Sequence, residues 1–68
     1  MIEAPPAGYE YRVTLSGSRL HLVATAEAGA YLAACGADTT LGAGGDWVAE
    51  YGAEFPVCSR CARRTRER

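Results

Sequence analysis

The chain has 68 residues, a formal net charge of −1 and no lysine, its cations being seven arginines. That length admits one domain and leaves it marginal on apolar burial alone, and scaffolds of this size usually add disulfides, a metal or a partner. The near-zero charge excludes a bulk electrostatic pull on polyanions, and no apolar run approaches the ~20 residues of a membrane span, so no membrane partner is expected.

Residues 1–8 are rich in Pro, Ala and Gly and read as a flexible lead-in. They show neither the basic nor the apolar region of a signal peptide, so a cytoplasmic setting is the expectation. Tyr9, Tyr11, Val13 and Leu15 alternate with polar residues, which predicts a strand from Tyr9 to Ser16. Gly17-Ser18 suits a two-residue turn with glycine first, and Arg19 to Thr25 continues as a second strand.

Ala26 to Cys35 admits two readings: an alanine-rich helix stopped by Gly36, or a hairpin turning on Glu27-Ala28-Gly29. The hairpin is preferred, because it sets Thr25 against Tyr31 and His21 against Cys35. Directly opposed residues hold their Cβ atoms about 4.5–5.5 Å apart, the closeness two ligands of one ion need. Residues 36–45 read as loop, and Gly42-Ala43-Gly44-Gly45 lacks the ending of a phosphate loop. Asp46 to Tyr51 is expected as a further strand with Trp47, Ala49 and Tyr51 on one face; a single helical turn begun by Asp46 is the alternative. Gly52 ends that element, and a short helix is expected from Ala62. Tyr9, Tyr11, Tyr31, Trp47, Tyr51 and Phe55 are the expected core, and any exposed together would mark an interface.

The chemistry concentrates in one histidine and three cysteines. Cys58-Ser59-Arg60-Cys61 is a Cys-x-x-Cys, whose spacing lets both sulfurs meet one ion. Zinc prefers four ligands in a tetrahedron, and His21, Cys35, Cys58 and Cys61 supply that number with no Cys or His left over. In a cytoplasmic setting cysteines bind metal more often than they form structural disulfides, and an odd count leaves a thiol over in any disulfide framework. Iron–sulfur clusters usually take four cysteines, which favours Zn2+. Singly, His21 is equally a polar strand residue and Cys35 a small buried hydrophobe; it is the combination that points to a metal.

A thioredoxin-like redox use of the Cys pair needs a βαβ unit for which this chain is too short, although reversible thiol oxidation with zinc release stays compatible. Nucleobase deaminases share a His/Cys/Cys site with the signature H-x-E…P-C-x-x-C, but here Val23 stands where the acid/base Glu belongs and Val57 separates Pro56 from Cys58. Four ligands close the site to substrate, so no catalytic residue is assigned and no enzymatic activity is expected.

Three thiolates, a neutral imidazole and Zn2+ carry a formal charge of minus one. Arg60 and Arg63 are placed in sequence to offset it and to donate to the sulfurs. Arg63, Arg64, Arg66 and Arg68 form a basic tail with two readings, contact with an anionic partner such as nucleic acid or plain solubilisation. No aromatic residue lies within it to stack on bases.

His21-Leu22-Val23, Ala34-Cys35-Gly36 and Cys58-Ser59-Arg60-Cys61 together resemble small zinc-finger proteins of actinobacteria, which have a His-Cys-Cys-Cys ligand set and a zinc-ribbon-like build. The resemblance covers roughly residues 19–63 and implies zinc binding by the four matching residues. The lysine-free composition agrees with a high-GC source. The family supplies no molecular function. The resulting expectation is a small metal-stabilised β-rich domain over residues 9–62: zinc-ribbon-like antiparallel hairpins, a C-terminal zinc knuckle and a short helix, followed by the basic tail 63–68. Its expected role is that of a structural zinc module presenting a surface to a protein partner. Nucleic-acid binding through the arginines is second, and a thiol redox switch third.

Overall fold

The computed structural model of the protein describes residues 4–26 and 31–66. Strands β1 (Tyr9–Val13), β2 (His21–Ala24) and β3 (Ala43–Gly44) form one antiparallel sheet in the order β2-β1-β3, and helices α1 (Asp46–Tyr51) and α2 (Ser59–Arg66) pack against it.

The alternation of Tyr9, Tyr11 and Val13 does make a strand, although it ends at Val13 and leaves Leu15 exposed. β1 and β2 pair with Arg12 opposite His21 and Tyr9 opposite Ala24. The two-residue turn at Gly17-Ser18 does not form. Residues 14–20 make a longer connection, in which the N–H of Gly17 donates to the carbonyl of Thr14. The observed register differs from the expected one by two residues. An even shift preserves the faces, which is why the alternation still assigns the core side correctly.

Residues 42–45 were expected as loop, yet β3 lies there, with Val13 opposite Ala43 and Arg12 opposite Gly44. A β-carbon at Gly42 would overlap the carbonyl oxygen of Val13, so only glycine lets the chain approach β1 this closely. Asp46–Tyr51 is helical rather than a strand. Six residues are too few for apolar spacing to separate the two periods. The helix sets Trp47 and Tyr51 at i and i+4, with ring centroids 5.4 Å apart, and buries Val48 between the sheet and Phe55. Its last turn closes when the N–H of Gly52 donates to the carbonyl of Val48 at 2.8 Å.

The preferred hairpin over 26–35 is corrected in part. Its turn at 27–29 lies outside the described residues, and residues 31–35 are neither helix nor a ladder on β2. They belong to a separate tight turn, bridged antiparallel at Leu32 and Asp38.

The core has two parts. Leu22, Val23, Ala33, Cys58 and Cys61 form one; Val13, Leu20 and Val48 form the other. Of the aromatic residues expected inside, Tyr9, Tyr11 and Phe55 are half-buried, whereas Tyr31, Trp47 and Tyr51 are exposed. Thr39 is fully buried. Its hydroxyl donates to the carbonyl of Tyr31 at 2.6 Å and accepts from the Arg12 Nε at 3.1 Å, while the Arg12 guanidinium sits 4.5 Å from the centre of the Tyr31 ring. No helix among the described residues is long and apolar enough to cross a membrane.

Candidate metal centre

Three chain segments meet at β2. Backbone groups of alternate strand residues point to the same edge, and on the edge away from β1 both Leu20 and Leu22 are engaged. Leu20 donates its N–H to Pro56 and accepts from the N–H of Cys58, each at 2.9 Å, in a parallel bridge with Val57. The carbonyl of Leu22 accepts from the N–H of Ala34 at 2.9 Å. His21 lies between these two anchors.

Each anchored segment then turns sharply. In the first, the N–H of Gly36 donates to the carbonyl of Ala33 at 2.8 Å, and that of Ala33 to Ala37 at 2.8 Å. Gly36 has φ +93, a backbone state that costs glycine little and other residues much. Cys35 sits at the tip of this turn. In the second, α2 begins one residue after Cys58, so the knuckle is the first turn of the helix rather than a loop before it. The expected start at Ala62 is therefore three residues late. The carbonyl of Cys58 accepts from Ala62, and Cys61 is buried inside the first helical turn.

These turns bring His21, Cys35, Cys58 and Cys61 together. One donor atom from each lies within 4.8 Å of all the others. The Nδ1 of His21 is 3.4 Å from the Cys35 sulfur and 3.7 Å from the Cys61 sulfur. All three thiols are free, Cys58 and Cys61 buried and Cys35 half-buried. The four side chains are thus placed to hold a metal ion.

The electrostatics suit that use. Burial, with the nearby Arg19 charge adding to it, lowers the His21 pKa and favours the neutral, ligating imidazole. Burial opposes ionisation of Cys58, but N–H groups of Cys61 and Arg60 pointing at its sulfur, together with the other two thiols, outweigh it and hold this thiol below its ordinary value. Cys61 goes the other way. Burial pushes it up to about 11, with the backbone of Leu22 opposing the rise and the Cys35 thiol adding to it. Without a cation, then, the cluster holds thiols of opposite tendency, and a divalent ion is what would ionise all three.

Arg60 reaches the cluster through its backbone N–H, while its side chain lines a cleft beside Cys35 together with Arg63 and Arg64. Arg66 lines a different cleft, with Tyr11 and Leu22 among its walls. Arg68 lies outside the described residues. The residues that sequence reading does not single out are Leu20 and Leu22, whose contribution is backbone hydrogen bonding and leaves no side-chain signature, and Thr39, which reads as an ordinary loop polar residue. Comparison with protein-family models, with curated proteins and with solved structures finds no match.

Proposed function

We propose that the protein is a structural zinc-binding module without catalytic activity, and that it works by presenting its surface to a partner protein. The observation that carries the reading is the convergence of one imidazole nitrogen and three sulfurs from three separated segments. A tetrahedral zinc with Zn–S of about 2.3 Å and Zn–N of about 2.0–2.1 Å has N···S edges of about 3.6 Å. The two N···S distances here, 3.4 and 3.7 Å, bracket that value. Three thiolates and one imidazole fill four positions, the pattern of closed structural sites rather than of catalytic ones that keep a position for water. The partner surface is supported by Leu15, Leu41, Trp47 and Tyr51, which are between 40% and 76% exposed. Leu15, Leu41 and Trp47 help line a cleft of about 390 Å³.

Native mass spectrometry tests the reading. One zinc per chain is expected, lost in His21→Ala, Cys58→Ser and Cys61→Ser alike, with Arg12→Gln retaining it as the control. A folded parent chain that never carries stoichiometric metal ends this reading. For the partner, a complex that survives moderate salt and is lost in Trp47→Ala is expected; one that dissolves with salt and ignores that substitution is not mediated by this surface.

A further inference from the structure

Helix α2 carries a feature that the metal centre does not use up. Arg60, Arg63 and Arg64 are exposed, and with Cys35 they line a cleft of about 380 Å³. At 3.6 residues per turn these three positions fall within about 100° of one helix face, over about 6 Å of its axis. The fold gives these charges little reason to be there. Arg60 and Arg64 stand at i and i+4, where like charges repel. Arg60 also lies in the first turn, at the positive end of the helix dipole, where a cation is disfavoured, and no acidic residue occupies that turn. The single formal negative charge of a zinc centre with three thiolates is too small to cancel three guanidiniums, so with or without it the cleft stays net positive toward an outside anion.

We infer that this cleft is a binding site for the phosphate backbone of duplex nucleic acid. Arginine presents a planar fork that matches phosphate oxygens. The cleft is open to solvent and three separate guanidiniums line it, more donors than a single oxyanion needs. Among the described residues no aliphatic or aromatic side chain lines it, so a peptide would find no apolar anchor of the kind that carries protein interfaces. The same lack of aromatic residues disfavours single strands, whose binders stack bases on such rings. Contact with phosphates alone makes the binding independent of sequence. This site shares no residue with the cleft beside Trp47. It rests on the zinc reading in one respect only, that Cys58 and Cys61 fasten α2 in place.

The test is fluorescence anisotropy of a labelled, mixed-sequence DNA duplex titrated with the metal-loaded full chain over a series of salt concentrations. The logarithm of the affinity should fall linearly with that of the salt. The triple variant Arg60→Gln, Arg63→Gln, Arg64→Gln should flatten the slope by about 2.7, three contacts at about 0.9 each. Arg66→Gln, on another face of the same helix, should leave the slope nearly unchanged. Metal content and circular dichroism verify each variant; should the triple one misfold, Arg60→Gln and Arg64→Gln alone should each flatten it by about 0.9. The inference is overturned by a folded, metal-loaded chain that ignores the duplex at low salt, or by a folded variant with the parental slope. An equal effect of Arg66→Gln overturns it too, since that is diffuse attraction to the helix. So does tighter binding of a polyglutamate peptide, or displacement of the duplex by inorganic phosphate at matching phosphate concentration. A metal-free but folded chain with the arginine-dependent slope would remove the zinc reading and leave this one standing.

Discussion

Titrating the metal-loaded protein with acid and base probes the ligand set and the metal-free state together. Each ligand thiol must give up its proton to bind, so three thiols predict roughly three powers of ten in apparent affinity per pH unit below the ordinary thiol pKa of about 8.5, or about 4 kcal/mol per unit. Below about pH 6.5 the imidazole joins and the slope approaches four. The sign follows from linkage. Metal holds the folded-state pKa of all four ligands down, so their contribution is complete above the unfolded values and is lost as pH falls. The alkaline end separates two cases. A chain that stayed folded without metal would keep Cys61 protonated up to about 11 and go on gaining affinity to that pH. A chain that unfolds returns Cys61 to about 8.5, and the gain stops near there. The second is expected. At ~0.05–0.15 kcal/mol per residue, a chain of 68 has a net stability of about 3–10 kcal/mol, whereas structural zinc in finger peptides contributes about 10–16 kcal/mol. Competition against a chromophoric chelator across this range, with Trp47 fluorescence reporting the fold, provides the curve. An acid-side slope of one or less, or a folded metal-free chain still gaining affinity at high pH, would refute the reasoning.

Three substitutions test the fold that positions the centre. Gly42→Ala places a β-carbon on the Val13 carbonyl, and is expected to cost about 1–3 kcal/mol in chemical denaturation while leaving the metal stoichiometry at one. Thr39→Val strips the Arg12 Nε of its hydroxyl acceptor and removes one of two donors to the Tyr31 carbonyl; a loss of about 1–3 kcal/mol is expected, and a thermal melt unchanged from the parent would show that this buried network contributes nothing. Leu20→Ala empties a site that is 1% exposed, at an expected ~2–5 kcal/mol. Because the metal-free chain is expected to be unfolded, that cost passes into metal binding, and the apparent metal affinity should fall by the same free energy while the stoichiometry stays at one.

What was legible in the sequence was the chemistry more than the path of the chain. His21, Cys35, Cys58 and Cys61 are the whole supply of their residue types, so the cluster followed from ligand arithmetic without any knowledge of the loops between them. The β1 strand showed because Tyr9, Tyr11 and Val13 alternate over a length sufficient for the period to register. The turn after it did not, since Gly17 and Ser18 suit a tight turn locally while the pairing of Arg12 with His21 sets a longer one. Ala43 and Gly44 have no strand preference of their own, and they pair because Gly42 can pass close to Val13. The register that led to the pairing of His21 with Cys35 gave the correct neighbours for a different reason. Their closeness comes from the Ala34 N–H on Leu22 and the left-handed Gly36, not from two strands running side by side.

That substitution of one cause for another shows how so small a chain builds a four-ligand site. In a strand, successive residues alternate between the two edges, and their side chains between the two faces. Leu20 and Leu22 therefore offer backbone groups to one edge, where they hold the Cys58 knuckle and the Cys35 turn, while their side chains enter the two parts of the core and His21 between them joins the three cysteines. One tripeptide thereby fixes both cysteine-bearing turns and supplies the remaining ligand from the position between them. The N–H of Leu22 directed at the Cys61 sulfur completes the arrangement, bonding a candidate ligand to the strand that carries His21. Without a bound cation these same backbone bonds would hold the two turns alone. It follows that the strand edge and a bound metal would stabilise one another and should be lost together, in a single cooperative step rather than in sequence.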